Sequence, residues 1–155
     1  MSHGGAQNNG PAPAISRLGI KPYQWGTECL RGDVQTGVTA FAQGLGLSAS
    51  FSRSVIYNMA RAISDEVRAK NNDYEKHNNY GFHTGLSCWS PVINILRDPR
   101  WGRSQETYGE DPYLSGELAY QYVTGLQGDD KRYVEAVAGC KHYTAFGGPS
   151  DDGPV

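Results

Sequence analysis

One short segment concentrates side chains that suit a polar ligand: Asp98-Pro99-Arg100-Trp101-Gly102-Arg103. Its guanidinium groups are planar hydrogen-bond donors, its carboxylate accepts hydrogen bonds, and its indole offers an apolar face. Pro99 fixes one backbone dihedral and Gly102 permits unusual ones, so we predict a loop of defined shape. This combination suits a ligand with many hydroxyl groups. Composition alone equally allows a surface loop held together by its own Arg–Asp pairs.

Further polar groups follow predicted strands elsewhere in the chain. Glu28 comes after a predicted strand at Tyr23–Thr27, and Lys141 and His142 close a compact apolar run. Parallel α/β folds bind ligands at the carboxyl ends of their strands, so we expect these groups and the loop Asp98–Arg103 to share one site. Adjacent strand residues point to opposite faces, so Lys141 and His142 reach one ligand only where the strand is distorted. A purely structural Lys-His pair is the alternative.

Apolar runs predict three buried strands, and the spacing of apolar residues predicts two amphipathic helices. In chain order these are the strand Tyr23–Thr27, a helix from Phe51 to about Lys70, the segment Leu86–Ile95 that begins as a strand, a helix from about Tyr113 to Leu126, and the strand Glu135–His142. Ser50 is the predicted cap of the first helix, and the Asn-rich stretch from Asn71 to Gly81 is predicted as a loop. Asp111 and Pro112 are predicted to cap and begin the second helix.

Alternating strands and helices predict an α/β fold in which helices cover a parallel sheet. A complete (β/α)8 barrel takes about 250 residues, whereas this chain has 155. We therefore predict a partial (β/α)8 TIM-type barrel that is truncated at its C-terminal side. Residues 1–14 are Gly-, Asn- and Pro-rich and are predicted as an irregular lead-in. A small open α/β unit is the alternative.

Charge and composition argue against several kinds of partner and site. The net charge is −2 and the pI is about 6, so no nucleic-acid-binding surface is indicated. No apolar run approaches the roughly 20 residues of a membrane helix, so no membrane partner is expected. The three cysteines match no zinc-site spacing. We predict buried free thiols, with one disulfide as the alternative, at Cys29, Cys88 and Cys140.

The motif SPVINILRDPRWGRSQETYGEDP, residues 90–112, closely resembles the central signature of glycoside hydrolase family three, particularly of its β-xylosidase-like branch. The resemblance extends from Arg17-Leu18-Gly19-Ile20 to Lys141-His142 and includes Tyr23-Gln24-Trp25. Gly26 departs from it, because that branch often carries another aromatic residue there. The resemblance implies that residues 1–155 are the N-terminal part of a single glycoside hydrolase barrel domain.

The resemblance also implies roles for individual residues. Family members bind the sugar of the first subsite with a carboxylate, an arginine and a Lys-His pair. The matching positions, which we assign to substrate binding, are Glu28, Arg103, Lys141 and His142. Asp98 and Arg100 match positions expected to hold the loop together, and Trp101 is expected to pack beneath it. Glu28 is expected to select the sugar, since the resemblance places Glu here in xylosidase-like and Asp in glucosidase-like members; the alternative is that Glu28 pairs with Arg31 or another loop cation.

No catalytic residue and no metal ligand is assigned within this chain. By the resemblance, the parent protein is a retaining glycosidase, which needs two carboxyl groups about 5 Å apart. The family's nucleophile motif is absent here, and Asp151-Asp152 lies too early to be that nucleophile. We expect Glu106 and Glu110 to be structural carboxylates, and His77 and His83 to have no ligand role.

The resemblance thus implies a parent enzyme that hydrolyses terminal β-glycosidic bonds, chiefly β-xylosides of xylo-oligosaccharides. The expected partner is a carbohydrate, no cofactor is implied, and the 155-residue chain alone is expected to be inactive. Three alternatives remain: a β-glucosidase of the same family, a non-catalytic carbohydrate-binding truncated barrel, and a phosphate-handling barrel enzyme that uses Arg103 and Lys141. The last lacks a Gly-rich phosphate loop. We expect the parent to be extracellular or secretory, although the first 19 residues do not read as a signal peptide.

Overall fold

The computed structural model describes residues 11–143 and 145–147, and it contains three short strands and three α-helices. In chain order these are β1 (Gly26–Thr27), α1 (Gly44–Ser48), α2 (Arg53–Lys76), β2 (Ser87–Cys88), α3 (Pro112–Gln127) and β3 (Val137–Ala138). Single turns of 3-10 helix lie at Ser16–Leu18 and Ser104–Glu106. The short helix α1 lies between the first predicted strand and the first predicted helix, where no element was predicted.

The three strands form one parallel sheet in the order β1-β2-β3. Gly26 lies opposite Ser87, and Ser87 lies opposite Val137. Each connection between neighbouring strands carries a long helix, which is the usual crossover between parallel strands. The predicted parallel α/β arrangement is confirmed.

Regular pairing is shorter than the three predicted strand segments. Within Leu86–Ile95, Pro91 has no N–H to donate and interrupts the ladder after Cys88. Pairing resumes farther on, where the Ile93 N–H donates to the Lys141 carbonyl oxygen at 2.8 Å. The segments beyond the regular strands therefore still hold one another at the carboxyl edge of the sheet.

The start of α2 differs from its prediction. Ser52 is the cap, because its hydroxyl accepts the Val55 N–H at 3.3 Å. The prediction of Ser50 as the cap is wrong, since Phe51 has a φ of 49° and is not helical. The Ser50 hydroxyl instead donates to the Leu47 carbonyl oxygen at 2.7 Å.

The end of α2 also differs from its prediction. The helix continues past Lys70 to Lys76, so only the part of the predicted loop from His77 onward lies outside it. Asn71 is buried within the helix, and its amide donates to the Thr84 carbonyl oxygen at 2.8 Å. Because this polar group is satisfied by a distant partner, it does not compete with the helical backbone.

Helix α3 begins as predicted. The Asp111 carboxylate accepts the Leu114 N–H at 2.6 Å, and Pro112 occupies the first turn. The helix ends one residue beyond the predicted Leu126, and Gly128 follows with a φ of 77°, which favours glycine. The predicted cap at Asp111 is confirmed.

The core lies between the sheet and the two long helices. Side chains of α2 and α3 pack against each other and against the sheet. Fully buried members are Ile56, Ile63, Val67, Leu118, Tyr122 and Leu126. Within residues 11–143 and 145–147, no helix is long and apolar enough to cross a membrane.

A disulfide bond joins Cys29 to Cys88 beneath the carboxyl edge of the sheet. Both cysteines are fully buried, and the hydroxyl of Tyr122 donates to the Cys29 carbonyl oxygen at 2.6 Å. The expectation of free thiols is wrong for this pair, and the alternative of one disulfide is confirmed. Cys140 is free, as predicted, but it is exposed instead of buried.

Candidate functional site

A pocket opens at the carboxyl ends of the strands and brings together all four residues predicted to bind substrate. Its volume is about 470 Å³, and its lining comprises Glu28, Trp89, Arg103, Gly139, Cys140, Lys141 and His142. Glu28 follows β1 and the Lys-His pair follows β3, so the strand ends place these side chains. The predicted convergence at one edge is observed, and the role of the four residues in substrate binding remains a prediction.

Glu28 and Lys141 pair across this pocket. The Lys141 Nζ donates to Glu28 Oε2 at 2.9 Å, and the lysine side chain is the more buried partner, 13% exposed against 35%. An ammonium has three N–H donors, so this bond leaves donors for a ligand. The cation that Glu28 meets is therefore a pocket residue; Arg31 instead points a guanidinium N–H at the Phe41 carbonyl oxygen, 3.4 Å away.

Arg103 of the pocket forms an ion pair with Glu106, which lies beside it. The Arg103 Nη2 donates to Glu106 Oε2 at 2.7 Å. Burial raises the pKa of Glu106, but the Arg103 hydrogen bond and the nearby cations outweigh burial and lower it below its usual value. The hydrogen bond to Glu106 raises the pKa of Arg103. Glu106 is thus an ionised carboxylate that anchors Arg103, in keeping with the structural role predicted for it.

His142 lies beside Lys141 in the same pocket and is held by Asn94. The peptide bond between Lys141 and His142 is cis. The His142 N–H donates to Asn94 Oδ1 at 2.7 Å, and its ring Nδ1 lies 3.1 Å from the same oxygen. Burial, followed by the charges of Arg103 and Lys141, lowers the pKa of His142 to about 4. The imidazole is therefore neutral at pH 7.

The loop between β2 and α3 is tied together as the sequence predicted. Arg100 donates to both carboxylate oxygens of Asp98, at 3.0 and 2.6 Å. These hydrogen bonds lower the pKa of Asp98 to about 2. Trp101 is only 2% exposed and packs edge-on against Phe146, with ring centroids 5.5 Å apart. It therefore packs beneath the loop, as predicted, and is not available to stack on a ligand.

Trp89 is a pocket residue that the sequence analysis missed. Its indole lies directly against Gly26, where an added Cβ would come within 2.5 Å of indole carbons. Trp89 therefore occupies the space that a side chain at position 26 would fill. Its place immediately after β2, at the same edge as Glu28, was the signal that would have found it.

Two polar residues of the site were also missed or given a smaller part. Asn94 is only 6% exposed and contacts His142, and Glu106 contacts Arg103. The Asn94–His142 contact does not follow from spacing, because the partners are 48 residues apart, whereas Arg103 and Glu106 are three residues apart and meet across the 3-10 turn Ser104–Glu106. Both lie on the segment that the sequence analysis singled out.

His77 and His83, which were expected to have no ligand role, lie outside this pocket. His77 is exposed at the end of α2, where its ring contacts the Asp73 carbonyl oxygen. Burial lowers the pKa of His83, whose ring packs against Phe82. Asp151-Asp152 lies outside the described residues. In the part of the chain that the structure describes, no cluster of His, Cys, Asp and Glu forms a metal site.

A larger open groove lies at the opposite edge of the sheet, before β3. Its volume is about 890 Å³, and two arginines of its lining are bound to groups near the start of β3. Arg61 pairs with Glu135 at 2.5 Å, and Arg68 donates to the carbonyl oxygens of Glu135 and Val134. These bonds hold the segment that leads into β3 against α2.

Comparison with known proteins gives one consistent picture. Residues 11–155 match the family model described as the glycosyl hydrolase family 3 N terminal domain. The xylan 1,4-beta-xylosidase of Xylanibacter ruminicola is 45% identical over 142 residues, which are 89% of this chain and 16% of that protein. Beta-D-xylosidase 1 of Arabidopsis thaliana is 44% identical over 147 residues, 87% of this chain and 18% of that protein. The chain thus spans less than a fifth of the length of these relatives.

A solved structure supports the same fold. A GH3 exo-beta-xylosidase in complex with a xylobiose aziridine activity-based probe matches with a TM-score of 0.73 and 33% identity, over 88% of this chain and 18% of that one. Together with the parallel sheet, this similarity identifies the three strands and their helices as part of a (β/α)8 barrel.

Proposed function

Because this chain belongs to glycosyl hydrolase family 3, we propose that it forms the N-terminal part of a single β-glycosidase barrel domain whose parent hydrolyses terminal β-xylosidic bonds of xylo-oligosaccharides. The chain contributes the part of the site that holds the terminal sugar. The observation that carries the proposal is the pocket that joins Glu28, Arg103, Lys141 and His142. The xylosidase names of the relatives support the choice of xylose in this proposal.

The chemistry of the pocket suits a sugar. Arg103 and Lys141 each keep N–H donors beyond those used by their carboxylate partners, while Glu28 keeps a second carboxylate oxygen to accept hydroxyl hydrogen bonds. The indole of Trp89 forms an apolar wall beside these groups. Sugar rings present both hydroxyl groups and apolar C–H faces, so a pocket with polar groups and one aromatic wall is complementary to them.

The chain supplies sugar contacts and no catalytic carboxylate. A retaining glycosidase needs a nucleophile and a general acid whose pKa is raised. Glu106 is unsuited to the second role, because its pKa is lowered and its carboxylate is bound to Arg103. We therefore assign both catalytic groups to parts of the parent enzyme beyond this chain.

Glu28 is the residue we assign to the choice between xylose and glucose. Xylose carries only hydrogen at C5, whereas glucose carries a hydroxymethyl group there. A carboxylate that reaches one methylene farther into the pocket leaves room for the first and clashes with the second, and exclusion by shape discriminates strongly. Lys141 holds the Glu28 carboxylate in the pocket, which supports this role.

The test uses a complete barrel. Residues 11–143 of this chain replace the matching segment of the Xylanibacter ruminicola relative, and kcat/KM is measured for nitrophenyl β-xyloside and β-glucoside. The chimera is expected to prefer the xyloside. Glu28→Asp shortens the intruding side chain, so it should raise the glucoside-to-xyloside ratio of kcat/KM by about tenfold, the scale of a methylene-sized steric difference.

Glu117→Asp is the matched control, because it also shortens a carboxylate bound to an arginine, Arg53, on the outside of α3. It should leave the ratio unchanged. A ratio that ignores Glu28→Asp would move the selectivity to another residue. A folded chimera that prefers the glucoside would favour the β-glucosidase alternative. A beta-glucosidase structure from Listeria innocua is compatible with that alternative: it is 33% identical, with a TM-score of 0.68, over 86% of this chain and 16% of that one. Sugar binding without turnover would favour the non-catalytic alternative.

A further inference from the structure

Asn94 makes two hydrogen bonds that fix which way its amide faces. Its side chain is buried, its Nδ2 donates to the Phe146 carbonyl oxygen at 2.7 Å, and its Oδ1 accepts the backbone N–H of His142 at 2.7 Å. Rotating the amide by 180° would place the Asn94 oxygen against the Phe146 carbonyl oxygen, so that two acceptors face each other. It would also place the Asn94 NH2 group against the His142 N–H, so that two donors face each other. The oxygen of Asn94, and not its nitrogen, therefore faces the His142 ring.

That oxygen determines where the imidazole carries its hydrogen. The ring Nδ1 lies 3.1 Å from Asn94 Oδ1, which only accepts hydrogen bonds, so Nδ1 must be the protonated nitrogen. We propose that Asn94 is a positioning residue that holds His142 in its Nδ1–H tautomer, so that Nε2 accepts a hydrogen bond from a ligand hydroxyl. The identity of that ligand as a sugar rests on the proposed function.

The rest of the pocket supports an acceptor at this position. Arg103 and Lys141 only donate hydrogen bonds, and burial together with their charges favours the neutral form of His142, while Glu106 acts in the opposite sense. Phe146 packs against the ring with centroids 5.1 Å apart and so restricts its rotation. A hydroxyl between these groups can accept from the cations and donate to Nε2, which uses both of its hydrogen-bonding capacities.

The first test measures the tautomer directly. The 155-residue chain is labelled with nitrogen-15 at histidine, and the ring resonances of His142 are identified by their loss in His142→Gln. At pH 7 we expect the chemical shift of a protonated nitrogen at Nδ1 and of an unprotonated nitrogen at Nε2. An Nε2–H tautomer or a charged ring would overturn the proposal, whatever the protein binds.

The second test removes the acceptor. Asn94→Leu keeps the shape of the side chain but has no oxygen, so the His142 resonances should move toward the Nε2–H tautomer that predominates in free histidine. Asn94→Asp keeps an acceptor at Nδ1 and should retain the Nδ1–H tautomer while raising the pKa of His142. An unchanged tautomer in Asn94→Leu would refute a positioning role.

Asn71→Leu is the matched control. Asn71 is also buried and also donates to a backbone carbonyl, that of Thr84, but it lies in α2. It loses the same kind of hydrogen bond without touching His142, so the His142 resonances should stay in place. If Asn71→Leu shifted the tautomer as much as Asn94→Leu, general loosening would explain both. Absence of sugar binding with the expected tautomer would instead count only against the proposed function.

Discussion

At the scale of single residues, the cationic side chains of the pocket form ion pairs with carboxylates of the chain without any ligand. Lys141 is held by Glu28, and Arg103 is held by Glu106. Each cation still has unused N–H groups whose directions are fixed by these partners. Such preorganisation reduces the cost of ordering side chains when a ligand binds.

Two arginines of one loop provide a matched pair for testing this arrangement. In the chimeric enzyme, Arg103→Ala should lower kcat/KM for nitrophenyl β-xyloside roughly tenfold to a hundredfold, because hydrogen bonds to charged groups contribute about 1.5–3 kcal/mol. Arg100→Ala should leave kcat/KM nearly unchanged, since its side chain is 80% exposed and its partner Asp98 belongs to the loop.

Circular dichroism of both variants checks that the fold is intact. If the two variants reduced kcat/KM equally and only slightly, Arg103 would no longer be a candidate for the sugar site.

The sequence predicted that Glu28, Arg103, Lys141 and His142 lie at one site, but it did not predict the residues that contact and support them. Prediction succeeded where a residue type and its place after a strand determine the outcome, as for Glu28 and Lys141. It failed for Asn94, because its contact depends on a loop that returns 48 residues later, and for Trp89, whose place after β2 was not used and whose contact depends on a backbone approach at Gly26. Such contacts leave no periodic pattern in the chain.

At the scale of elements, the long helices carry most of the packing, because the regular strands are only two residues long. Helices α2 and α3 are in close contact at Gly125. A Cβ there would lie 2.6 Å from the Tyr57 carbonyl oxygen and 2.9 Å from the Cβ of Ala60. The close approach of two backbones requires glycine at this position.

Two glycines of α3 allow this close packing to be tested against helix propensity. Gly125→Ala should lower the free energy of unfolding by about 1–3 kcal/mol through overpacking. Gly116→Ala, on the exposed side of the same helix with no atom within 4 Å of the added Cβ, should raise it by about 0.5–1 kcal/mol. Urea unfolding of each variant provides both values. If both substitutions raised the free energy of unfolding, helix propensity, and not the α2–α3 contact, would govern Gly125.

The elements also show which boundaries a sequence can indicate. Asp111 and Pro112 carry a local signal, a side-chain acceptor followed by a fixed φ, and they start α3 as predicted. Asn71 carries the opposite local signal, yet α2 passes through it because Thr84 accepts its amide hydrogen. Local chemistry predicted the first boundary, and a tertiary contact overrode it at the second.

At the scale of the whole molecule, the disulfide bond is the feature that the number and spacing of the cysteines did not predict. Cys29 and Cys88 are 59 residues apart, and nothing in that spacing indicates a pair. The parallel alignment of β1 and β2 brings them together beneath the site, one residue after Glu28 and one before Trp89. The bond therefore links two of the three strand ends that carry pocket residues.

At the scale of the whole enzyme, both catalytic groups are proposed to lie beyond this chain. We therefore predict that the 155-residue chain alone hydrolyses neither nitrophenyl β-xyloside nor nitrophenyl β-glucoside above the buffer rate. The reason is chemical: retaining hydrolysis needs a nucleophile and a raised-pKa acid about 5 Å apart, whereas the carboxylates of Glu28, in the pocket, and of Glu106, beside it, are bound to cations. The chimera assayed beside it supplies the positive control. Turnover by the chain that persists through purification and disappears in Glu28→Gln or Glu106→Gln would place a catalytic carboxylate within this chain and contradict the assignment.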